Sequence, residues 1–219
     1  MRLFKYRSLK GDGLLHALDM IVNRRIYLST LDALNDPDEG AFKIQDQRRL
    51  TKAHGEAFLQ DMASLRTRID KTRFTSFATK ADNPLLWAHY AGGYSGVAFE
   101  YDLPDDDSTI DLLPIQYIGT PLISHDTCKK IINDEEPLYK CGILRSKRAE
   151  WEYESEYRLY LKSSKDSYLD RIAPKSVVIG GRKRRNDSVF EQVCKKYKIK
   201  VGSLLELNEG YEVFYPTTI

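Results

Sequence analysis

Residues 149–161, AEWEYESEYRLYL, place charged side chains at every second position. Successive side chains of a β-strand point to opposite faces, so a strand here would gather its charges on one face: Glu152, Glu154, Glu156 and Arg158. The other face would carry Trp151, Tyr153, Ser155, Tyr157 and Leu159. Like charges about 7 Å apart repel each other unless a cation or a substrate lies against them. The row therefore indicates either a carboxylate-lined cleft or a polar outer face that pairs with Lys or Arg of a neighbouring strand.

A second candidate segment is NPLLWAHYAGGYSG at residues 83–96, which concentrates rings and a histidine around a glycine pair. The proline predicts the start of a short helix. On or after that helix, Trp87, His89, Tyr90 and Tyr94 could line a nucleotide pocket. The alternative is that the rings pack in the core and the histidine finds its hydrogen bonds there.

Two basic runs form a third group, RSKR at 145–148 and GRKRRN at 181–186. Arg182–Arg185 precede a predicted helix, whose free backbone N–H groups could hold a phosphate. The alternative is a positively charged, solvated loop. Together with tyrosine-rich strands able to stack bases, the two runs keep a nucleic-acid-binding function open.

The four histidines, at positions 16, 54, 89 and 125, predict no metal site. Only His125 and Cys128 stand at a ligand spacing, and neither a CxxC nor an HExxH motif occurs. Three widely separated cysteines argue against a disulfide framework and favour a reducing compartment.

The composition is that of a globular protein, with 42% hydrophobic and 30% charged residues and a formal net charge of +2. Such a charge gives no global argument for a nucleic-acid or membrane partner. The longest apolar stretches are about five residues, against roughly 20 needed to cross a bilayer, and the N-terminus shows no signal-peptide pattern. We therefore expect a cytoplasmic protein with no membrane partner. The sequence carries no signal for an oligomeric state.

The elements that would position these residues form a single α+β domain over residues 1–219, with a central, mostly antiparallel sheet. Strands are predicted in LFKYRSL, IYLSTL, RFTSFAT, GVAFEYDL, LLPIQYIG, EWEYESEYRLYL, KSVVIGG and YEVFYP. Helices are predicted in GDGLLHALDMIVNRR and SVFEQVCKKYKI. A helical insertion over the core is predicted at about 43–71, and a largely helical connector at 121–144.

Four segments, taken in order, resemble a widespread family of bacterial and phage-associated proteins. They are FKYRSL, IYLSTLDALNDPDEG, TSFAT with NPLLWAHYAGGYSGVAFEYD, and KRAEWEYESEYRL. The family is catalogued as a domain of unknown function and is often found near defence genes. The likeness spans roughly residues 1–185, and its most specific parts are the NDP turn, the WAHYA segment and the WxYExEYR strand.

The same segments resemble the three-part signature of ADP-ribosyltransferase-like domains. That signature has an Arg or His on the first strand, a strand with Ser or Thr in the middle, and a Glu-x-Glu on a late strand. The matching residues are Arg7, Ser76 with Thr75, and Glu154 with Glu156. Ser29 and Thr75 stay open as alternatives to Ser76. The resemblance implies an ADP-ribosyltransferase-like sheet and NAD as co-substrate, without a metal.

This resemblance also assigns roles. A carboxylate near the ribose stabilises the oxocarbenium-like state in which nicotinamide leaves, and an arginine binds the pyrophosphate or the ribose. The implied catalytic residues are Glu156, Glu154, Arg7 and Ser76. The implied contacts to NAD are Tyr6, Thr75, Trp87, His89 and Tyr90.

The resulting expectation is a toxin or phage-defence effector that acts on a protein or nucleic-acid target. Two alternatives remain at this point. One is a nucleic-acid-binding protein or nuclease of a defence system, and the other is a non-catalytic nucleotide-binding sensor.

Overall fold

The structure is a computed structural model that describes residues 1–104, 107–162, 166–182, 187–207 and 210–216. The strands are β1 (Arg2–Arg7), β2 (Ile26–Tyr27), β3 (Lys43–Ile44), β4 (Phe74–Ala78), β5 (Val97–Asp102), β6 (Ile110–Pro114), β7 (Leu122–Ile123), β8 (Glu156–Leu161), β9 (Tyr168–Leu169), β10 (Ser176–Ile179), β11 (Lys200–Leu207) and β12 (Gly210–Phe214). The α-helices are α1 (Asp12–Val22), α2 (Gln47–Lys71), α3 (Pro84–Tyr90), α4 (His125–Ile132) and α5 (Asp187–Lys196). Short 3-10 helices span Leu31–Ala33, Leu138–Cys141 and Ala149–Glu154.

One eight-stranded sheet organises the domain, in the order β12-β11-β10-β5-β1-β4-β8-β6. Its described neighbours pair antiparallel except β10 and β11, which are parallel and are joined by α5. Two small sheets, β2–β9 and β3–β7, complete the strands. The fold is therefore the single α+β domain with a mostly antiparallel sheet that the sequence predicts.

Both faces of the sheet are covered, because side chains alternate along each strand and both sets are largely apolar. The face that we call the α1 face packs against α1 and α5 through residues that include Leu3, Phe99, Tyr101, Leu159 and Val177. The opposite face, the α3 face, packs against α3 through residues that include Phe4, Tyr6, Trp87, Ala98 and Val178. A third cluster joins Phe74 and Tyr160 of the sheet to α2 and α4.

The sheet is split between β1 and β4. β1 pairs with β5 along all six of its residues but with β4 through a single residue pair, Phe4 and Ala78. Beyond that pair the two strands diverge, and Ser29 rather than β1 pairs with Phe74 at the far end of β4. The split leaves a gap in the middle of an otherwise continuous sheet.

The prediction of one long strand over 150–161 is wrong in its first half. Residues Ala149–Glu154 form a 3-10 helix, Ser155 has a left-handed backbone with φ 45°, and β8 begins only at Glu156. The alternating pattern favours a strand, but the buried partners of Glu154 draw its carboxylate inward, and a tight turn reaches them where a strand would not. Glu152, predicted on the same face as Glu154, is exposed.

Other predicted elements differ in extent. The second strand covers Ile26–Tyr27 only, and the connector at 121–144 contains β7 as well as α4 and a 3-10 helix. The region at 43–71 comprises β3 and then α2, which is kinked at Gly55 and packs against α4. Residues 200–207 form β11, for which the sequence pattern gave no prediction.

Candidate functional site

A pocket of about 500 Å³ lies at the split in the sheet. Its walls include four consecutive residues of each diverging strand, residues 4–7 of β1 and 75–78 of β4. Because consecutive strand residues point to opposite faces, a pocket lined by all of them reaches both faces of the sheet. The pocket therefore occupies the gap itself rather than a groove on one surface.

Lys5 spans this gap. Its ammonium donates hydrogen bonds to Thr75 Oγ1 at 2.5 Å and to the Ser76 carbonyl oxygen at 3.0 Å. The β4 carbonyl that would bond a neighbouring strand is thus satisfied by a side chain instead. Burial lowers the pKa of Lys5 well below its ordinary value, and the charge of Arg7 lowers it further.

Beside the gap lies a buried group of charges that we call the ion-pair cluster, formed by Glu39, Lys147, Glu154, Glu156 and Arg158. Lys147 Nζ lies 2.6 Å from carboxylate oxygens of both Glu154 and Glu156 and 3.3 Å from Glu39. Arg158 Nε donates to Glu156 Oε1 at 2.7 Å, and its Nη2 donates to Glu39. All five side chains are less than 7% exposed and line the pocket.

Local structure explains how these charges meet. Glu156 and Arg158 are two residues apart on β8 and therefore share a face, opposite Ala78 and Ser76 of β4. The turn at Ser155 brings Glu154 back beside Glu156, and the hydroxyl of Tyr117 accepts a hydrogen bond from the Glu156 backbone N–H at 2.8 Å. The cluster carries three carboxylates against two cations, so it keeps an excess of acidic groups.

The environments of Glu154 and Glu156 push their pKa values apart. Burial alone would raise the pKa of Glu156, but the charges of Arg158 and Lys147 outweigh it and lower the value to about 2. Burial raises the pKa of Glu154 above its ordinary value, against the opposing charge of Lys147. The Tyr90 hydroxyl donates to Glu154 Oε1 at 2.5 Å. Two carboxyl groups with separated pKa values are a recurring arrangement in acid–base catalysis.

Arg7 places a further guanidinium in the pocket wall. Its Nε is buried and has no hydrogen-bond partner among the described residues. Burial lowers its pKa, and a buried N–H donor without a partner favours a ligand that can accept from it, such as an anion. The hydroxyl of Tyr101 is likewise buried without a described partner, and it interacts electrostatically with Arg7.

The structure brings together seven of the nine residues that the sequence singled out. The residues that line the pocket are Tyr6, Arg7, Thr75, Ser76, Tyr90, Glu154 and Glu156. Ser29 lines it too. Trp87 and His89 do not, because Trp87 is fully buried and donates to the Ala81 carbonyl at 2.7 Å, while His89 is exposed.

Sequence reasoning missed two members of the ion-pair cluster, Glu39 and Lys147. Glu39 belongs to the NDPDEG segment, which is typical of a surface turn, and Lys147 belongs to the RSKR run. That run does not form a basic surface, since Lys147 is buried against three carboxylates and Arg148 pairs with Asp38. A lysine nine residues before β8 carries no local signal of such contacts.

Three further predictions from the sequence concern the GRKRRN run, metal binding by the histidines, and the membrane. Of the GRKRRN run, residues 183–186 lie outside the described residues. His125 Nε2 lies 2.8 Å from Asp61 Oδ2, and within the described ranges no group of three or more His, Cys, Asp or Glu could hold a metal ion. In the same ranges, no helix is both long enough and apolar enough to cross a membrane.

No family model, curated protein or solved structure matches this chain. The geometry of the pocket is therefore the basis for assigning a function.

Proposed function

We propose that the protein is an NAD-using enzyme of the ADP-ribosyltransferase type, which breaks the bond between nicotinamide and ribose. The observation that carries the proposal is that Arg7, Ser76, Glu154 and Glu156, distant in sequence, line one pocket. Its volume of about 500 Å³ falls within the range of roughly 300–1,000 Å³ that is usual for small-molecule sites.

The carboxylates suit the charge that develops in this reaction. As the C1′–N bond breaks, its electron pair leaves with nicotinamide and positive charge develops on the ribose. Glu156, whose pKa is about 2, stays ionised and stabilises that charge. An acceptor oxygen or nitrogen then bonds to C1′ and releases its proton to Glu154, whose raised pKa makes its carboxylate the better proton acceptor.

The remaining residues position the substrate. Arg7 binds the diphosphate, because its guanidinium lines the pocket and its buried Nε has no hydrogen-bond partner among the described residues. Ser76 stands opposite Arg158 on the neighbouring strand and so flanks Glu156 in the pocket wall. Tyr90 fixes Glu154 through its hydroxyl and presents a ring to the nicotinamide end of the pocket.

In this proposal the acceptor is a protein or nucleic acid, and the protein acts as a toxin or phage-defence effector. The lining of the pocket supports the NAD chemistry, whereas the identity of the acceptor rests on the sequence resemblance alone.

The test is release of nicotinamide from NAD by the purified protein, with a bacterial lysate present as a source of acceptors. We expect release by the wild-type protein and a decrease of about 100-fold or more in Glu154→Gln, since removing a general base typically costs 10²–10⁴-fold. Glu152→Gln is the matched control, because Glu152 lies on the same 3-10 helix with an exposed side chain.

Thermal unfolding of each variant separates loss of chemistry from loss of fold. Equal release by wild type and Glu154→Gln would contradict the proposal, as would an absence of release by the folded wild-type protein. NAD binding without release would instead favour the nucleotide-binding sensor.

A further inference from the structure

A pair of tyrosines lines the pocket on the α1 face. Tyr27 of β2 and Tyr168 of β9 are paired residues of the small sheet, with ring centroids 5.4 Å apart and ring planes at 67°. Both line the pocket, and Tyr27 is 43% exposed. An exposed ring in a pocket wall offers apolar area and a π face to a planar ligand.

The tyrosine pair is held in place by neighbouring charges. The Arg25 guanidinium lies 3.9 Å from the centroid of the Tyr168 ring, and Asp19 fixes it by accepting from Arg25 Nε and Nη2, both at 2.9 Å. Arg25 therefore occupies one face of Tyr168, and Tyr27, which is 43% exposed, is the more open ring of the pair. A rigid ring binds a planar group at little cost in conformational entropy.

The tyrosines and the carboxylates lie on opposite sides of the split. Asp19 and Met20 of α1 line the tyrosine end, on the α1 face. Glu156 stands opposite Ala78, a member of the α3-face cluster. The side chains of Lys5 and Arg7 alternate with those of Phe4 and Tyr6 along β1, so they lie on the α1 face, the face of the tyrosine end.

The pocket therefore presents carboxylates on the α3 face and, across the split on the α1 face, the Arg7 guanidinium and exposed rings. This arrangement is complementary to a molecule with a cationic head, an anionic middle and an aromatic tail. A nucleotide in which a base and a ribosyl group are joined through phosphates has that order.

We propose that Tyr27 and Tyr168 form a stacking subsite for the nucleobase of an elongated nucleotide that passes through the split in the sheet. The identity of the other end of the ligand rests on the function proposed above, but the base subsite itself does not. Base–aromatic stacking tolerates every base, so the subsite requires a planar base and discriminates little between different bases.

The test uses AMP, which carries a base and a phosphate but no group for the carboxylate end. Calorimetric titration should show AMP binding to the wild-type protein, with affinity reduced roughly 5- to 150-fold in Tyr27→Ala, the range expected for loss of one stacked ring. Tyr27→Phe should retain binding, whereas Tyr27→Leu, which keeps apolar bulk without the ring, should not. Ribose 5-phosphate, which lacks a base, should bind these variants and the wild type equally.

Tyr197→Ala is the matched control, because Tyr197 is 38% exposed and lies outside the pocket walls. Nicotinamide release, measured on the same preparations, keeps the two proposals apart. AMP binding that depends on the Tyr27 ring supports the subsite even if NAD is not cleaved. No AMP binding, or equal binding by wild type and Tyr27→Ala, would overturn the subsite even if NAD is cleaved.

Discussion

At the scale of single residues, the site is defined by buried charges of opposite sign that form ion pairs with one another. Each carboxylate of the ion-pair cluster lies against Lys147 or Arg158, and the two cations share Glu39 and Glu156. Removing one partner from such a cluster leaves an uncompensated buried charge, which typically costs several kcal/mol. The cluster therefore holds Glu154 and Glu156 in fixed positions at the pocket wall.

The depressed pKa of Glu156 predicts a particular dependence of stability on pH. A carboxyl whose pKa falls from 4.5 in the unfolded chain to about 2 in the folded protein stabilises the fold above the unfolded value and loses that contribution as the pH falls. We expect Glu156→Gln to lower the free energy of unfolding by roughly 3 kcal/mol at pH 6, and this deficit to shrink progressively between pH 5 and pH 2.

Denaturant unfolding across that pH range measures the effect. Glu152→Gln should follow the wild-type protein throughout, because its side chain is exposed. A deficit of Glu156→Gln that stays constant from pH 6 to pH 2 would show that the ionised carboxylate does not stabilise the fold.

Whether a site residue can be predicted from the sequence depends on whether it belongs to a local pattern of residue types. Glu154, Glu156 and Arg7 could be singled out because each stands in a local pattern of residue types. Lys5 and Lys147 could not be singled out in this way. The role of Lys5 depends on Thr75, which is 70 residues away in the sequence. The role of Lys147 depends on its burial against carboxylates, which no pattern in RSKR indicates.

At the scale of elements, the position of Arg7 depends on a close backbone approach at the start of β5. A Cβ added at Gly96 would lie 2.2 Å from the carbonyl oxygen of Arg7 and 2.7 Å from that of Ala91. Both neighbours are backbone atoms, so they can move only if the strand moves. Glycine at this position therefore lets the end of β1 lie against β5 while β1 diverges from β4.

We expect Gly96→Ala to destabilise the protein by about 1–3 kcal/mol, the usual cost of inserting a group into a packed site. It should also weaken AMP binding, because it displaces the backbone that carries Arg7. Gly181→Ala is the matched control, since its added Cβ would meet its nearest atom, the Leu204 carbonyl oxygen, at 3.6 Å. Wild-type stability in Gly96→Ala, measured by denaturant unfolding, would contradict this account.

The segment 149–155 shows why element type can be misjudged from pattern. Alternation of charged and apolar residues is the signal of a half-buried strand, and it holds from Glu156 onward. Before that, Tyr90 and Lys147 bind Glu154 across the pocket, and these contacts outweigh the local preference. The information that sets the 3-10 turn lies in other elements, so a local pattern does not contain it.

At the scale of the whole molecule, the pocket follows from the split in the central sheet. Strand periodicity predicts an α+β domain because the apolar residues recur at the correct spacings, and the fold confirms it. The single residue pair between β1 and β4 is not predictable in this way, because it depends on which strands become neighbours. That split makes space for a ligand inside a sheet that is otherwise closed on both faces.

We propose that NAD binds in the split, with its nicotinamide ribose at the carboxylates. The most direct measurement is a crystal structure of Glu154→Gln, which should bind NAD and cleave it slowly, in complex with NAD. We expect the nicotinamide ribose beside Glu156, the diphosphate against Arg7 and the adenine on Tyr27. NAD bound outside the split, or a split that stays empty at saturating NAD, would contradict the account.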